Sequence, residues 1–303
     1  MKLKFDREGA ARTQPDPFIF EDGGRYYLYV TAGGGVEAYR TDDVFGVWNY
    51  IGVVTDFRDA TDFWAPSVIK IDEKYYMYVS CIKNGEFEYM YVASSASPEG
   101  PFGNEKRLYG RFSIDSHMVM TESGLYLWFA QDNFERDKIG TRVWVDRFID
   151  PYTPEDDPAE VLLPEFDEEK FTPQCTPERD WYTVEGPFWF REGEWQYLMY
   201  SAGCYMDDTY HVGYAVARSG ESDLKKVKFE KVRKNGGFSP LIIKNRVEEG
   251  TGHNSVIRLG DDYYAIYHGR DILPEREDRG GERRTARICR LRVSAGVITA
   301  ERE

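Results

Sequence analysis

The chain has 303 residues and a formal net charge of −14, from 39 Lys plus Arg against 53 Asp plus Glu. Such an acidic chain lacks the basic surface that binds nucleic acid or docks on anionic lipid, so we expect neither partner. Hydrophobic residues make up 41% and aromatic residues 16% of the chain, which excludes a disordered protein and favours β-strands.

Three features predict the cellular location. No apolar run approaches the roughly 18 residues that a membrane span needs. Residues 1–15 are charged and contain no apolar core, so we predict no signal peptide. The cysteines have no metal-binding spacing and are expected to be reduced packing residues, at Cys81, Cys175, Cys204 and Cys289. These features favour a cytoplasmic protein, with a trimmed precursor as the alternative.

In chain order, five segments share one pattern: a short apolar strand, a turn and a Tyr-rich strand. A tyrosine in the second strand follows the first residue of each unit by 11 positions. Five equal offsets indicate an internal repeat of the size of a propeller blade. The pairs of residues are Asp16 and Tyr27, Ala65 and Tyr76, Asp115 and Tyr126, Gly186 and Tyr197, and His253 and Tyr264.

The connectors within the units are rich in Gly, Asp and Glu, which predicts β-hairpins. Third strands are expected at 89–93 and 211–216, and a last strand at 286–293 should complete the fifth unit. The sequence therefore predicts a single all-β domain over residues 1–303, a five-bladed β-propeller with blades starting near 16, 65, 115, 186 and 253. A two-sheet sandwich is the alternative, supported only by regular strand spacing.

Two stretches interrupt the repeat. Residues 147–182 contain six Pro and eleven acidic residues against three basic ones, and we predict an irregular acidic loop on one face. Residues 271–284 are densely charged and include Gly280-Gly281.

The starts of the units carry acidic side chains. In a propeller the first strand of each blade lines the central channel, so the ends of these strands meet at one rim. This arrangement should bring together three carboxylates, of Asp16, Asp115 and Glu185, with His253 and Trp64 beside them. Convergent carboxylates next to aromatic rings indicate acid–base chemistry on a sugar, in which one group protonates the leaving oxygen and another activates water.

The same residues carry a resemblance that spans roughly residues 15–293. The ordered set resembles glycoside hydrolase family 43, whose members are five-bladed propellers and inverting enzymes acting on arabinose- or xylose-containing glycans. Its motifs are Asp16-Pro17, Trp64-Ala65-Pro66, Ile114-Asp115, Glu185-Gly186-Pro187 and Gly252-His253-Asn254-Ser255.

The resemblance implies a role for each acid. Asp16 would be the general base, Glu185 the general acid, and Asp115 the group that raises the pKa of the acid and orients it. An inverting site separates acid and base by about 6.5–9.5 Å to leave room for water. The pattern departs from the family at Ser116, where Pro is frequent.

Further residues are assigned to substrate binding. Phe63 and Trp64 are expected to line the sugar pocket, with packing between blades as the alternative. Arg270 is expected to clamp sugar hydroxyls or a carboxylate, with an exposed arginine as the alternative. His253 is expected in the channel, where some relatives hold calcium or ordered water. Calcium prefers oxygen ligands, so a structural calcium ion at His253 would need carboxylates or waters as well. We expect no required cofactor.

The leading hypothesis is an exo-acting α-L-arabinofuranosidase that releases terminal arabinose from pentose-containing oligosaccharides. A β-xylosidase or endo-arabinanase of the same family is the alternative. A non-catalytic sugar-binding propeller and a retaining fructoside-active relative are alternatives from other classes. The sequence does not indicate the oligomeric state.

Overall fold

The structure is a computed structural model that describes residues 1–7, 13–171, 180–272 and 283–302. The described chain is all-β apart from one 3-10 turn, Asp167–Glu169. No helix in these ranges is long and apolar enough to cross a membrane. Gly280-Gly281 and Cys175, which the sequence analysis noted, lie outside the described residues.

Five sheets contain the strands. The first, in the order β1-β5-β4-β3-β2, has β1 (Lys4–Phe5), β2 (Phe18–Asp22), β3 (Arg25–Val30), β4 (Glu37–Thr41) and β5 (Val47–Val53). The second has β6 (Ala60–Ile71), β7 (Lys74–Lys83), β8 (Glu88–Ser95) and β9 (Gly103–Arg107). The third has β10 (Ile114–Thr121), β11 (Gly124–Asn133), β12 (Gly140–Asp150), β13 (Thr153–Pro154), β14 (Ala159–Leu162), β15 (Lys170–Phe171) and β16 (Trp181–Tyr182). The fourth has β17 (Val184–Glu192), β18 (Trp195–Ala202), β19 (His211–Arg218) and β20 (Glu230–Lys231). The fifth has β21 (Glu248–Leu259), β22 (Asp262–Asp271), β23 (Thr285–Ser294) and β24 (Val297–Glu301).

The sheets have a β-propeller arrangement, as the repeat predicts. The first long strands of the sheets contact one another in the cyclic order β2, β6, β10, β17, β21 and back to β2. One buried apolar cluster lies at each junction between neighbouring sheets. Each sheet thus buries its two faces against its neighbours, which stabilises the ring through apolar burial.

Each predicted hairpin is present, with an antiparallel pair in every unit. The prediction for the end of the chain was wrong in one respect. The strand predicted at 286–293 is β23, and β24 pairs outside it to complete the fifth sheet. Exposure alternates along β24, and Ile298 is buried beside Tyr214 of the fourth sheet.

A left-handed backbone conformation recurs at the start of every unit. The five aligned residues differ in side chain, apart from two Asp, and all have positive φ: Asp16 at 52°, Ala65 at 43°, Asp115 at 61°, Gly186 at 57° and His253 at 49°. In β6, β10, β17 and β21 the pairing register shifts at this point, as in a β-bulge. A bulge bends the strand and redirects the side chains around it, so each inner strand presents its rim-end residues in an equivalent way.

Aromatic rings fill the central channel just below this rim. The ring of Phe18 in the first sheet lies 6.0 Å from His117 in the third and 6.3 Å from Phe188 in the fourth, between centroids. The third and fourth sheets do not neighbour the first in the ring, so these contacts run across the central axis. His117 and Phe188 stack at 4.0 Å. The channel is therefore closed at this level.

The described parts of the stretch 147–182, which are 147–171 and 180–182, are more regular than predicted, because β13 to β16 join the third sheet through β12. A fully buried ion pair anchors it: Lys231 Nζ donates to Glu169 Oε1 at 2.6 Å and to the Leu163 carbonyl at 2.6 Å. The other Glu169 oxygen accepts the backbone N–H groups of Glu165 and Phe166. Buried polar atoms with this many partners hold a loop in one conformation.

This anchor gives a testable prediction. Lys231→Met leaves the Glu169 carboxylate buried without its cation, and we expect it to lower the free energy of unfolding by about 3 kcal/mol. Lys226→Met is the matched control, because Lys226 forms an exposed pair with Asp223 and should have little effect. Urea unfolding measures both variants, and equal midpoints for the two would contradict the anchoring role.

Candidate active site

The rim encloses a cavity of about 560 Å³, here called the first cavity. Its walls combine carboxylates, aromatic rings and backbone from all five sheets and their rim loops. The lining residues include Asp16, Thr31, Asp62, Trp64, Ile114, Asp115, Glu185, Tyr205, Tyr210, His253 and Arg284. The three predicted acids therefore lie in one cavity.

Asp16 is held by donors on several sides. Thr31 Oγ1 donates to Asp16 Oδ2 at 2.6 Å, and Arg284 Nη1 donates to Oδ1 at 3.3 Å. The backbone N–H of Asp16 donates to His268 Nδ1 at 3.1 Å. Burial lowers the pKa of His268 to about 3, so this imidazole is neutral and the contact with Asp16 is a hydrogen bond rather than an ion pair.

These partners determine the charge of Asp16. Burial alone would raise the pKa of this carboxyl, but the positive charge of Arg284 outweighs it. The net pKa lies far below its usual value. Asp16 is therefore ionised at neutral pH.

Asp115 and Glu185 respond in the opposite direction. Burial, followed by the charges of Glu185 and Asp16, raises the pKa of Asp115 well above its usual value, although the backbone N–H of Gly186 donates to Asp115 Oδ2 at 2.9 Å. Burial raises the pKa of Glu185 to about 7, with the Asp16 charge adding to the rise. Carboxyl groups that share a buried site cannot all ionise at neutral pH, so the cavity retains a proton.

Tyr210 connects Glu185 with the histidine that contacts Asp16. Its hydroxyl donates to Glu185 Oε1 at 2.6 Å, and its ring stacks on the His268 imidazole at 5.5 Å between centroids. Gly252 makes room for this ring, since a Cβ built at Gly252 would lie 2.0 Å from Tyr210 Cε1. A side chain at position 252 would clash with Tyr210, which explains the glycine of the Gly252-His253 motif.

His253 lies at the rim as predicted, with Nδ1 3.4 Å from Asp16 Oδ1. Burial lowers the pKa of this imidazole, although the Asp16 charge opposes the shift. Within the described ranges, no group of three or more His, Cys, Asp or Glu side chains could hold a metal ion. The Arg284 guanidinium supplies the positive charge next to Asp16, so the protein groups here do not form a calcium site by themselves. The structural calcium ion stays a prediction, and no step below depends on it.

Two predicted substrate-binding residues lie elsewhere. Phe63 is 1% exposed and packs on Phe57 in the cluster between the first and second sheets, whereas its neighbour Trp64 is 37% exposed and lines the cavity. Side chains alternate along a strand, so only one of the pair can face the sugar. Arg270 donates to the backbone carbonyls of Tyr205 and Asp207 and supports their loop, instead of pointing into the first cavity.

Several site residues were missed by the sequence analysis: Thr31, Asp62, Tyr205, Tyr210, His268 and Arg284. Tyr210 had a usable signal, because it directly precedes a third strand and so belongs to the rim. Tyr205 lies in a loop that no repeat position describes. Arg284 ends the charged stretch 271–284, which lies outside the repeat, and its place beside Asp16 depends on β23.

A second cavity, of about 330 Å³, adjoins the first and shares Ile114, Glu185 and Tyr205 with it. Asp16 and Asp115 line the first cavity and not the second. Glu185 therefore stands between two spaces, with the ionised carboxylate of Asp16 on one side. One group can give a proton at the boundary while another takes a proton from a molecule in the first cavity.

Comparisons with known proteins give the same picture. The family model described as "Glycosyl hydrolases family 43" matches residues 10–297. A protein of Aspergillus flavus named a probable arabinan endo-1,5-alpha-L-arabinosidase A is 26% identical over 231 residues, which are 70% of this chain. The matched region spans 63% of that relative's own length.

Solved structures of two proteins resemble the whole chain. A thermostable family-43 glycoside hydrolase is 27% identical with a TM-score of 0.79, over 99% of this chain and 96% of the other. An endo-1,4-beta-xylanase from Bacteroides thetaiotaomicron is 25% identical with a TM-score of 0.76, over 96% and 94% of the two chains.

The contact between Tyr210 and Glu185 can be tested by titration. The phenol hydrogen bond stabilises the ionised carboxylate, so we expect Tyr210→Phe to raise the pKa of Glu185 above about 7. Carboxyl-labelled NMR titration measures the shift. Tyr214→Phe is the control, because Tyr214 bonds to the backbone of β24 and not to the acids. A Glu185 pKa that stays the same or falls in Tyr210→Phe would refute the assigned contact.

Proposed function

This chain belongs to glycosyl hydrolase family 43, and on that premise we propose that it hydrolyses glycosidic bonds with inversion at the anomeric carbon. One observation carries the proposal: a single cavity holds a carboxyl group that stays ionised, Asp16, and one that holds its proton up to about pH 7, Glu185. Inverting hydrolysis needs a base and an acid with this separation of pKa values.

The roles follow from the two protonation states. Asp16 removes a proton from water while the water oxygen bonds to the anomeric carbon. Glu185 gives its proton to the glycosidic oxygen as the bond from that oxygen to the anomeric carbon breaks. The products are a pentose of inverted configuration and a free hydroxyl on the leaving sugar, with Asp16 protonated and Glu185 ionised. Asp115 accepts the Gly186 N–H beside Glu185, and the repulsion between the two carboxyl groups opposes ionisation of both, so that a proton is held between them.

For the substrate we propose a terminal pentose, in exo fashion, and α-L-arabinofuranosidase as the leading activity. The first cavity would hold the pentose against Trp64, with Arg284 and Asp62 facing its hydroxyls. The closed channel beneath the rim supports a pocket for one end of a glycan. The named activities of the relatives, on arabinan and xylan, support a pentose. Arabinose and xylose are pentoses of the same size, so β-xylosidase and endo-arabinanase stay as alternatives.

We also propose that each of the five sheets counts as one blade and that the chain is a single catalytic domain. The ring of inner-strand contacts supports both statements. The absence of a required cofactor and the cytoplasmic location stay predictions.

The pH dependence of kcat/KM tests the assigned acid and base. Activity needs protonated Glu185, so it should fall as the pH rises through about 7. Activity also needs ionised Asp16, whose pKa is lowered, so the acid limb should lie well below pH 4. A profile with its alkaline limb near pH 4 to 5 would contradict the role of Glu185.

Leaving-group dependence separates the two roles. A dinitrophenyl leaving group departs without protonation, so Glu185→Ala should retain much of its rate on a dinitrophenyl glycoside and lose about a thousandfold on an oligosaccharide. Asp16→Asn should lose a similar factor on both substrates, because both need activated water. NMR of the first product released shows its configuration, and net retention would exclude Asp16 as the base.

Exo action is tested with a panel of substrates for the parent enzyme. We expect release of 4-nitrophenol from the α-L-arabinofuranoside above that from the β-D-xyloside. Cleavage of debranched arabinan into oligosaccharides, with no release from either aryl glycoside, would reverse the exo assignment.

A further inference from the structure

The walls of the second cavity differ from those of the first. Aromatic side chains dominate the second cavity. Asp132 and Glu185 supply its two carboxyl groups. Phe171 and Trp181 come from the stretch 147–182, which the Lys231–Glu169 pair anchors. The lining residues are Phe112, Ile114, Asp132, Thr141, Phe171, Trp181, Thr183, Glu185 and Tyr205.

Resting on the proposed hydrolysis, we propose that the second cavity binds the sugar that leaves, and that Asp132 selects a hydroxylated leaving group by accepting a hydrogen bond from it. The assignment follows from which cavity each acid lines. A general acid must touch the oxygen that joins the two sugars, and Glu185 faces both cavities. The base acts on the opposite face of the pentose. Asp16 lines the first cavity and not the second.

Asp132 has an unmet hydrogen-bonding capacity. It lies near the end of β11, and its Oδ1 is buried with no hydrogen-bond partner in the described ranges. Burial raises the pKa of Asp132 to about 6, so the group is largely ionised at neutral pH. A buried carboxylate oxygen without a donor is costly, and a sugar hydroxyl entering the cavity would supply the donor.

The aromatic walls suit the rest of such a ligand. Phe112, Phe171 and Trp181 give apolar faces against which the carbon-bound hydrogens of a sugar ring can pack. Neighbouring rings support two of these walls: Trp181 contacts Phe134 at 5.5 Å and Phe171 contacts Tyr205 at 6.1 Å between centroids. A cavity with apolar faces and one polar acceptor recognises a sugar by a specific hydroxyl.

The test compares two substrates with the same pentose and different leaving groups: 1,5-linked α-L-arabinobiose and 4-nitrophenyl α-L-arabinofuranoside. The nitrophenyl group has no hydroxyl to donate. We measure the ratio of kcat/KM for the disaccharide to that for the aryl glycoside. Asp132→Ala should lower this ratio by about tenfold to a hundredfold, the effect of losing a hydrogen bond to a charged group.

Two further variants make the result specific. Asp132→Asn keeps the shape and one acceptor oxygen, so its ratio should fall between those of the parent and Asp132→Ala. Asp62→Ala is the matched control, because Asp62 lines the first cavity and meets the pentose that both substrates share. It should lower both values of kcat/KM together and leave the ratio unchanged.

The outcomes separate this inference from the proposed function. If the parent hydrolyses neither substrate, the proposed arabinofuranosidase function fails. If the parent hydrolyses both and the ratio is unchanged in Asp132→Ala, the role of Asp132 is overturned while the function stands. If Asp132→Ala does not fold, as judged by circular dichroism, the Asp132→Asn ratio decides in the same way.

Discussion

A left-handed residue at the rim end of each inner strand is the constraint on which the site depends. Left-handed φ costs an ordinary residue roughly 1–2 kcal/mol, so it persists only where surrounding structure imposes it. Here it occurs in five equivalent places, at Asp and Gly as well as at Ala65 and His253, residue types that rarely adopt it. Because the conformation recurs regardless of side chain, it belongs to the architecture. The propeller imposes this backbone conformation at the rim end of each inner strand and so directs the rim side chains inward. The side chains at those positions then determine the chemistry.

Burial acts on all three acids in the same direction, and the charged neighbours decide the outcome. Arg284 lies against Asp16, and its positive charge overcomes the cost of desolvation. Glu185 has a phenol as its hydrogen-bond donor and the Asp16 charge nearby, so desolvation prevails. Arg284 and Tyr210 are therefore as much a part of the proposed acid–base pair as the carboxyl groups are. Substitution of either should change the protonation of the site without removing an acid.

The sequence predicts the repeat well because the 11-residue offset reflects a physical period: an inner strand, a short turn and a second strand. It therefore predicts the hairpins, the positions of the inner strands and the three rim acids. It could not separate Phe63 from Trp64, because the pairing register of β6 shifts on both sides of Trp64 and only the structure reveals these shifts. It also could not pair Arg270 with its loop carbonyls, since that contact joins a strand to an irregular segment 63 to 65 positions away. Contacts within the repeat can be predicted from the sequence, whereas contacts with segments outside the repeat cannot.

The stacked rings of Phe18, His117 and Phe188 give the site a property of its own. They close the axis beneath the acids, so a glycan in the first cavity cannot pass through the ring at this level. In the proposed exo reaction, the terminal sugar would lie deepest, and the portion of the glycan beyond Glu185 would lie between that sugar and solvent. The shortened glycan would then have to diffuse away first, and the monosaccharide would follow. Free monosaccharide would compete with fresh substrate for the first cavity, and its accumulation would slow turnover.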